Sequence, residues 1–181
     1  MPRPTYANVV SSIALFVALG GTSVAITSSG HRAHAAATCS GHARDCSGQN
    51  LDGRNFSRLD LTRSIWDRAS LVGATFEGSD LYGSSFDAAD LKNANLSHGN
   101  RTQSNFRGAN LSGANLRSGD FWGSDMRHVD FRGARFYGTK MDRTDLSGAN
   151  LSGATVTNSS FHDIHLCRTI WFDGRTRNDN C

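Results

Sequence analysis

The sequence predicts a thin repeat solenoid, and two observations carry that expectation. A large apolar residue returns at every fifth position from Leu51 to Trp171 with no phase slip, as in Leu71, Phe76, Leu81, Phe86 and Leu91. Arg101 is the one exception among these centres. A helix needs an apolar residue every 3.6 positions and a strand every 2, so neither explains the pattern. A short strict period sustained over this length marks an architecture in which each unit leans on its neighbours. The second observation is composition: only 38% of the 181 residues are hydrophobic, which suits a narrow interior better than a globular core.

The remaining slots of each unit are specialised. Two positions before the centre stand mostly small residues, such as Ala69, Ala74, Ala109 and Ala114, where a second inward position has little room. One position before it, Asn and Asp dominate, as in Asp80, Asn95, Asn110 and Asp120. These side chains bond nearby backbone amides and tolerate turn dihedrals. Two positions after the centre, Gly recurs, as in Gly73, Gly108 and Gly113, where the chain turns most cheaply through positive φ. The cleanest copies are Ala109-Asn110-Leu111-Ser112-Gly113 and Ala149-Asn150-Leu151-Ser152-Gly153. Residues 49–173 thus resemble the pentapeptide repeat family, whose consensus is Ala-(Asp/Asn)-Leu-x-x. The resemblance implies an all-β solenoid, a right-handed quadrilateral (four-sided) β-helix with four units per coil and the centres inward. Residues 20 apart would then stack, so Leu51, Leu71, Leu91, Leu111, Phe131, Leu151 and Trp171 form one column. With coils about 4.8 Å apart, the interior is a pile of single side chains.

Residues 1–37 form a separate segment. Ala7 to Gly30 carry no charge, and the apolar part runs from Val9 to Ile26, with Arg3 before it and Arg32 after it. That is expected to be an N-terminal hydrophobic export or anchor helix, either a cleaved signal peptide or a short transmembrane span. It resembles export segments of actinobacterial proteins in Tyr6-Ala7-Asn8-Val9 and Ala14-Leu15-Phe16-Val17-Ala18-Leu19-Gly20-Gly21-Thr22. The repeat domain is therefore expected outside the cytoplasm, secreted or anchored. Residues 38–48 read as an N-terminal cap in which Cys46 keeps the phase of a centre. Residues 174–181 leave the period and read as a C-terminal cap.

Four cysteines in an exported chain favour disulfides, with three possible pairings. The length of the implied rod separates Cys39 and Cys46 from Cys167 and Cys181, so Cys39–Cys46 and Cys167–Cys181 are the pairing it readily allows, each closing one end. Capping has a purpose, because terminal coils expose strand edges that invite association.

Charge and motifs narrow the function. Residues 49–181 hold 16 Arg and Lys against 15 Asp and Glu, a balance that points neither to nucleic acid nor to an acidic ligand. No nucleophile elbow, phosphate loop or HExxH is present. The chain is expected to be non-enzymatic and to need no cofactor. Cys39/His42/Cys46 and His162/His165/Cys167 resemble metal ligands only superficially, because each set lacks a fourth partner; no metal is expected. Outward Tyr82 and Trp122 differ by 40 and so share a face, and with outward Tyr137 they form a possible contact surface. Arg101 sits in a centre slot, where a bare guanidinium is costly. A local bulge, or a stem leaning on the core with its head in solvent, is expected there, with a ligand notch as the alternative and a kink around Ser97–Gln103. Arg58, Arg63 and Arg68 girdle the first coil and read as solvated.

The expected function is a scaffold or interaction rod whose partner is an unknown protein or a cell-envelope polymer, with membrane contact through an uncleaved N-terminal segment and end-to-end homodimers possible. Two alternatives are a carbohydrate- or polymer-binding rod and a DNA-mimicking, gyrase-interacting rod as in some members of the family. The mixed surface charge and the export segment argue against the second.

Overall fold

The computed structural model describes residues 44–179 and 181. The expected export helix within 1–37, and Cys39 and His42 of the N-terminal cap, lie outside the described residues. Among the described residues no helix is long and apolar enough to cross a membrane.

Parallel bridges join residues 20 positions apart, and they do so along four sides. One side runs Asn50, Ser70, Asp90, Asn110, Asp130, Asn150, Ile170; another runs Asp60, Asp80, Asn100, Asp120, Lys140, Ser160. Four five-residue units therefore make one coil. Leu71, Leu91 and Leu111 lie above one another, their amides donating to the carbonyls of Asp90, Asn110 and Asp130 at 2.7–2.8 Å. Most of each side is too short to count as a strand. The exceptions are β1 (Arg135–Tyr137), parallel to β2 (Thr155–Thr157), and β3 (Thr169–Ile170), antiparallel to β4 (Thr176–Arg177).

The corners follow from two slots. Asn or Asp before a centre accepts the backbone N–H two residues on, as Asn110 Oδ1 does from Ser112 at 3.0 Å and Asp60 Oδ1 from Thr62 at 3.1 Å. The same side chains pair between coils, with Asn110 Nδ2 donating to Asp90 Oδ1 at 3.0 Å and Asn115 Nδ2 to Asn95 Oδ1 at 3.1 Å. Every fifth residue from Gly48 to Arg168 has positive φ, including Arg58, Arg63 and Arg68 at 56–58°. Gly adopts this conformation freely and L-residues pay for it. Arg68→Gly is therefore expected to stabilise the rod by roughly 0.5–1 kcal/mol net of the extra freedom of the unfolded chain. A urea midpoint unchanged or lowered would contradict this.

The corner carboxylates make stability acid-sensitive. Hydrogen bonding from the Thr62 backbone N–H holds the Asp60 carboxyl below its usual range, and the Arg132 guanidinium does so for Asp130. A carboxylate with a depressed folded pKa contributes its full stability above the unfolded value of about 4. That contribution is lost as pH falls through the folded values. The urea midpoint is expected to stay flat from pH 7 to about 5 and to fall steeply below about pH 4; a flat profile down to pH 2 would exclude this linkage.

The interior is as narrow as its sequence. Leu71, Phe76, Leu81, Phe86, Leu91, Leu96, Phe106, Leu111, Leu116 and Phe121 are fully buried. Aromatic rings stack along the axis, Phe56 on Phe76 at 4.9 Å and Phe86 on Phe106 at 4.8 Å, and meet edge to face across it, as Trp66 meets Phe76 at 5.3 Å. The second inward slot differs by side. One side carries Ala74, Ala94, Ala114 and Ala134, whereas another carries buried Ser64, Ser84, Ser104, Ser124 and Thr144. Each of these hydroxyls donates to a backbone carbonyl, Ser104 to Leu81 at 2.7 Å and Ser124 to Arg101 at 2.7 Å. That satisfies the requirement on buried polar groups.

Both ends depart from the regular coil. Cys46 is buried as a centre beneath Trp66, its amide donating to Ile65 O at 2.7 Å. It is not a free thiol. At the other end Cys167 is disulfide-bonded to Cys181, with Cα atoms 4.9 Å apart. The tail supplies the partners that a further coil would have supplied: Leu166 N donates to Asp179 O at 3.1 Å and Trp171 N to Arg175 O at 2.8 Å. Not every centre is buried, contrary to the periodic expectation. Val156 is 38% exposed, and Phe161 and Trp171 are half-buried. These residues belong to the last coil, where no following coil covers them; Phe161, Trp171 and Phe172 pack on one another instead, at 4.6–5.8 Å between rings. Cys181→Ser is expected to abolish amide-exchange protection across Leu166–Ile170 while the coils around Leu91 and Leu111 keep theirs, because each coil contacts only its neighbours. Retained protection at Leu166 would show that the hairpin holds without the bridge.

Candidate interaction surface

Along the regular coils the outward slots face a partner, since the backbone pairs between coils. Tyr82 and Trp122 project from the same side, fixed by the bridges Asp80↔Asn100↔Asp120. The aromatic backbone amides are pinned from behind: Tyr82 N donates to Asp80 Oδ1 at 3.0 Å and Trp122 N to Asp120 Oδ1 at 3.1 Å. Tyr82 and Trp122 are 37% and 38% exposed. Each ring is braced by a side chain from the next coil. Tyr82 Oη donates to Gln103 Oε1 at 2.8 Å, and the Arg143 guanidinium carbon lies 5.4 Å from the Trp122 ring centroid. Such a cation–π contact is worth about 0.5–1 kcal/mol at an exposed site. Tyr137, 46% exposed, stands at the end of β1 on the adjacent side, with Arg117 4.8 Å from its ring centroid. The structure thus brings Tyr82 and Trp122 together on one side and sets Tyr137 around the corner. The bracing residues Gln103, Arg143 and Arg117 were not singled out from sequence. Their signal was present: residues 20 or 21 apart are neighbours on adjacent coils.

Two of the three residues at the C-terminal end that superficially resemble metal ligands have other partners. Cys167 is bonded to Cys181, and His162 leans on Asp142, its Nδ1 3.2 Å from Asp142 Oδ1 and its amide donating to the same oxygen at 2.8 Å. Among the described residues no group of three or more His, Cys, Asp or Glu is arranged to hold a metal ion.

Arg101 corrects an expectation. The chain does not bulge at this position, because Asn100 keeps its bridges to Asp80 and Asp120 and Arg101 N donates to Asp120 O at 2.7 Å. Nor does the guanidinium reach solvent: Arg101 is fully buried. Its Nη2 donates to Phe76 O at 2.7 Å, and its guanidinium carbon lies 6.0 Å from the Phe121 centroid. Gly99 makes this possible, since a Cβ there would fall 2.1 Å from Arg101 Nη1. Gly119, one coil on, similarly makes room for the Phe121 ring, 2.7 Å from where its Cβ would lie. Burial depresses the Arg101 pKa to about 10, and Asp80 is the charge that opposes the shift.

A model of pentapeptide repeats matches the chain in eight overlapping copies between residues 55 and 166. The chain belongs to the pentapeptide repeat family. No curated protein matches it by sequence. Solved structures to which it is similar include the pentapeptide repeat protein Rfr23 from the cyanobacterium Cyanothece 51142, at 21% identity and TM-score 0.33, covering 67% of this chain and 90% of that one. A pentapeptide repeat protein from the Arabidopsis thaliana thylakoid lumen matches at 25% identity and TM-score 0.26, covering 76% and 72%. QnrB1, a plasmid-mediated fluoroquinolone resistance protein, matches at 16% identity and TM-score 0.31, covering 69% and 80%. The family assignment rests on the repeat model and on the 20-residue register of this chain.

Proposed function

We propose that this pentapeptide repeat protein is a non-enzymatic interaction rod, exported or anchored with its repeats outside the cytoplasm, that meets a protein or cell-envelope polymer through the side carrying Tyr82 and Trp122. The observation that carries the reading is a pair of exposed rings two coils apart on one flat side, each pinned by its own corner Asp and braced by Gln103 or Arg143. Rings held in one orientation lose little entropy on binding. Export is supported by the uncharged stretch Ala7–Gly30 and by a disulfide closing the C-terminal end.

The test compares the full-length wild type with Trp122→Ala and Tyr82→Ala for retention on purified cell-envelope fractions. Each variant is expected to lose about tenfold or more in affinity, the scale of a single interface anchor. Unchanged retention in both would remove this side from consideration. Cell fractionation is expected to find the protein in the envelope or the medium; a cytosolic protein that inhibits gyrase supercoiling would establish DNA mimicry instead. Exposed Val156 on β2 favours a second contact, between copies of this chain end to end, and light scattering showing monomers at all concentrations would rule it out.

A further inference from the structure

We infer that the side carrying Tyr82 and Trp122 docks a proline-rich segment of a partner protein in the polyproline II conformation, with one proline against each ring. The inference rests on the reading of this side as the contact face and names the chemistry of what it holds. Three observations carry it.

The first is register. Tyr82 and Trp122 occupy the same slot, and each ring is braced by the residue 21 positions further on, Gln103 for Tyr82 and Arg143 for Trp122. The rings are therefore presented alike, two coil rises or roughly 9.6 Å apart. Polyproline II repeats every three residues, about 9.3 Å along its axis, so prolines at i and i+3 meet both rings. An extended strand returns a side chain to one face every second residue, about 6.7 Å, and falls out of step.

The second is shape. Thr102 holds the same slot on the intervening coil. It is half-buried, with its Oγ1 donating to Asn100 Oδ1 at 2.9 Å. Gly83 and Gly123 follow the two aromatics and add no side chain of their own. A ring, a short tied-down residue and a second ring make a shallow trough with aromatic walls, the kind of surface on which prolines dock.

The third is hydrogen-bonding demand. The acceptors around the rings are already used. Gln103 Oε1 accepts from Tyr82 Oη at 2.8 Å, and Asp80 Oδ1 and Asp120 Oδ1 accept from Tyr82 N and Trp122 N at 3.0 and 3.1 Å. The carbonyls of Tyr82, Thr102 and Trp122 accept from Arg63, Gly83 and Gln103 N at 2.8, 3.1 and 2.9 Å. Donors remain: among the described residues neither Gln103 Nε2 nor Trp122 Nε1 has a protein partner, and both residues are exposed. A polyproline segment is the complement, because proline has a carbonyl and no N–H, and the carbonyls of this helix are unpaired. An α-helix consumes its own carbonyls. A strand or a glycan brings N–H or O–H donors for which the trough has kept few acceptors. The ligand is preformed and the rings are braced, so little ordering is needed on either side.

The test titrates the full-length protein into fluorescently labelled decaproline and reads anisotropy. Saturable binding is expected, weakened about tenfold or more by Trp122→Ala and by Tyr82→Ala. Gln103→Leu, which keeps bulk and removes the donor, should weaken it severalfold. A peptide of the same length with proline at every third position and alanine elsewhere should bind severalfold tighter than one with proline at every fourth. No binding at millimolar decaproline, or equal binding by the wild type and both alanine variants, overturns the proposal. Envelope retention separates this result from the contact-face reading. Retention lost in both alanine variants with no decaproline binding keeps the face and removes the polyproline ligand; competition of that retention by soluble chitohexaose would then assign a glycan in its place.

Discussion

Phe106→Ala is expected to lower the unfolding free energy by about 3–5 kcal/mol, among the largest effects available to a single truncation in this rod. Phe106 is fully buried, stacked on Phe86 at 4.8 Å with an interplanar angle of 1° and edge-on to Phe121 at 5.8 Å. In a globular core, neighbours partly collapse into the space left by such a truncation. Here the coil spacing is held by backbone hydrogen bonds on both sides, Phe86 N to Asn105 O at 2.7 Å and Phe106 N to Asp125 O at 2.8 Å. The interior is one side chain deep, so no second layer exists to relax inward. The cavity should persist, and the loss should approach the upper part of the range. Because each coil contacts only its neighbours, amide exchange should accelerate most in the coils carrying Phe86, Phe106 and Met126. Half-exposed Trp122→Ala, by contrast, should cost no more than about 1 kcal/mol, the scale of its contact with Arg143. A Phe106→Ala loss below 1 kcal/mol, by urea unfolding, would mean that the coils close up and that the ladder does not set their spacing.

The parts of the fold legible in sequence are those where one slot has one task in every coil. Leu71, Leu91 and Leu111 had to stack once four units closed a coil, and Asn110 had to serve the turn because its side chain reaches the Ser112 amide. The left-handed corner could be read from Gly73, Gly108 and Gly113, although Arg58 and Arg68 adopt it too. The less legible features depend on relations between coils. Ser104 and Ala114 look interchangeable as small residues, yet Ser104 belongs to a column of hydroxyls bonding carbonyls and Ala114 to a column of alanines. Exposure of Val156 follows from having no coil above it, not from its own identity. On the contact surface, Tyr82 and Trp122 were visible as outward aromatics, whereas Gln103 and Arg143 matter only as their neighbours on the next coil. Arg101 was misplaced for the same reason: its fate is decided by Gly99, two residues away, which reads as another small residue until a side chain is found in the space it leaves.

Arg101→Met is expected to stabilise the rod by about 1–3 kcal/mol, since exchanging a buried, incompletely paired charge for an apolar side chain of similar length is commonly favourable. The depression of the Arg101 pKa from its ordinary value to about 10 corresponds to a penalty of roughly 3 kcal/mol on the charged form. The sign follows from linkage. The folded value lies below the unfolded one, so at any pH under about 10 the native state carries the whole penalty, which is relieved only as pH rises from about 10 towards the unfolded value. Between pH 6 and 9 the gain from Met should therefore be constant. The hydrogen bond lost is the one from Nη2 to Phe76 O at 2.7 Å, but that carbonyl also accepts from Ser79 Oγ at 2.7 Å and Ser79 N at 3.1 Å. Nothing is orphaned by its removal, so the loss is about 1 kcal/mol or less. Met is flexible enough to follow the guanidinium's path between Leu81 and Phe121. Arg101→Ala separates charge from volume: it removes the same charge but leaves a cavity, and should sit well below Met in stability. If Met instead destabilises by more than 1 kcal/mol while Ala and Met agree, the guanidinium's own contacts outweigh its desolvation, and the residue is a structural strut of the coil.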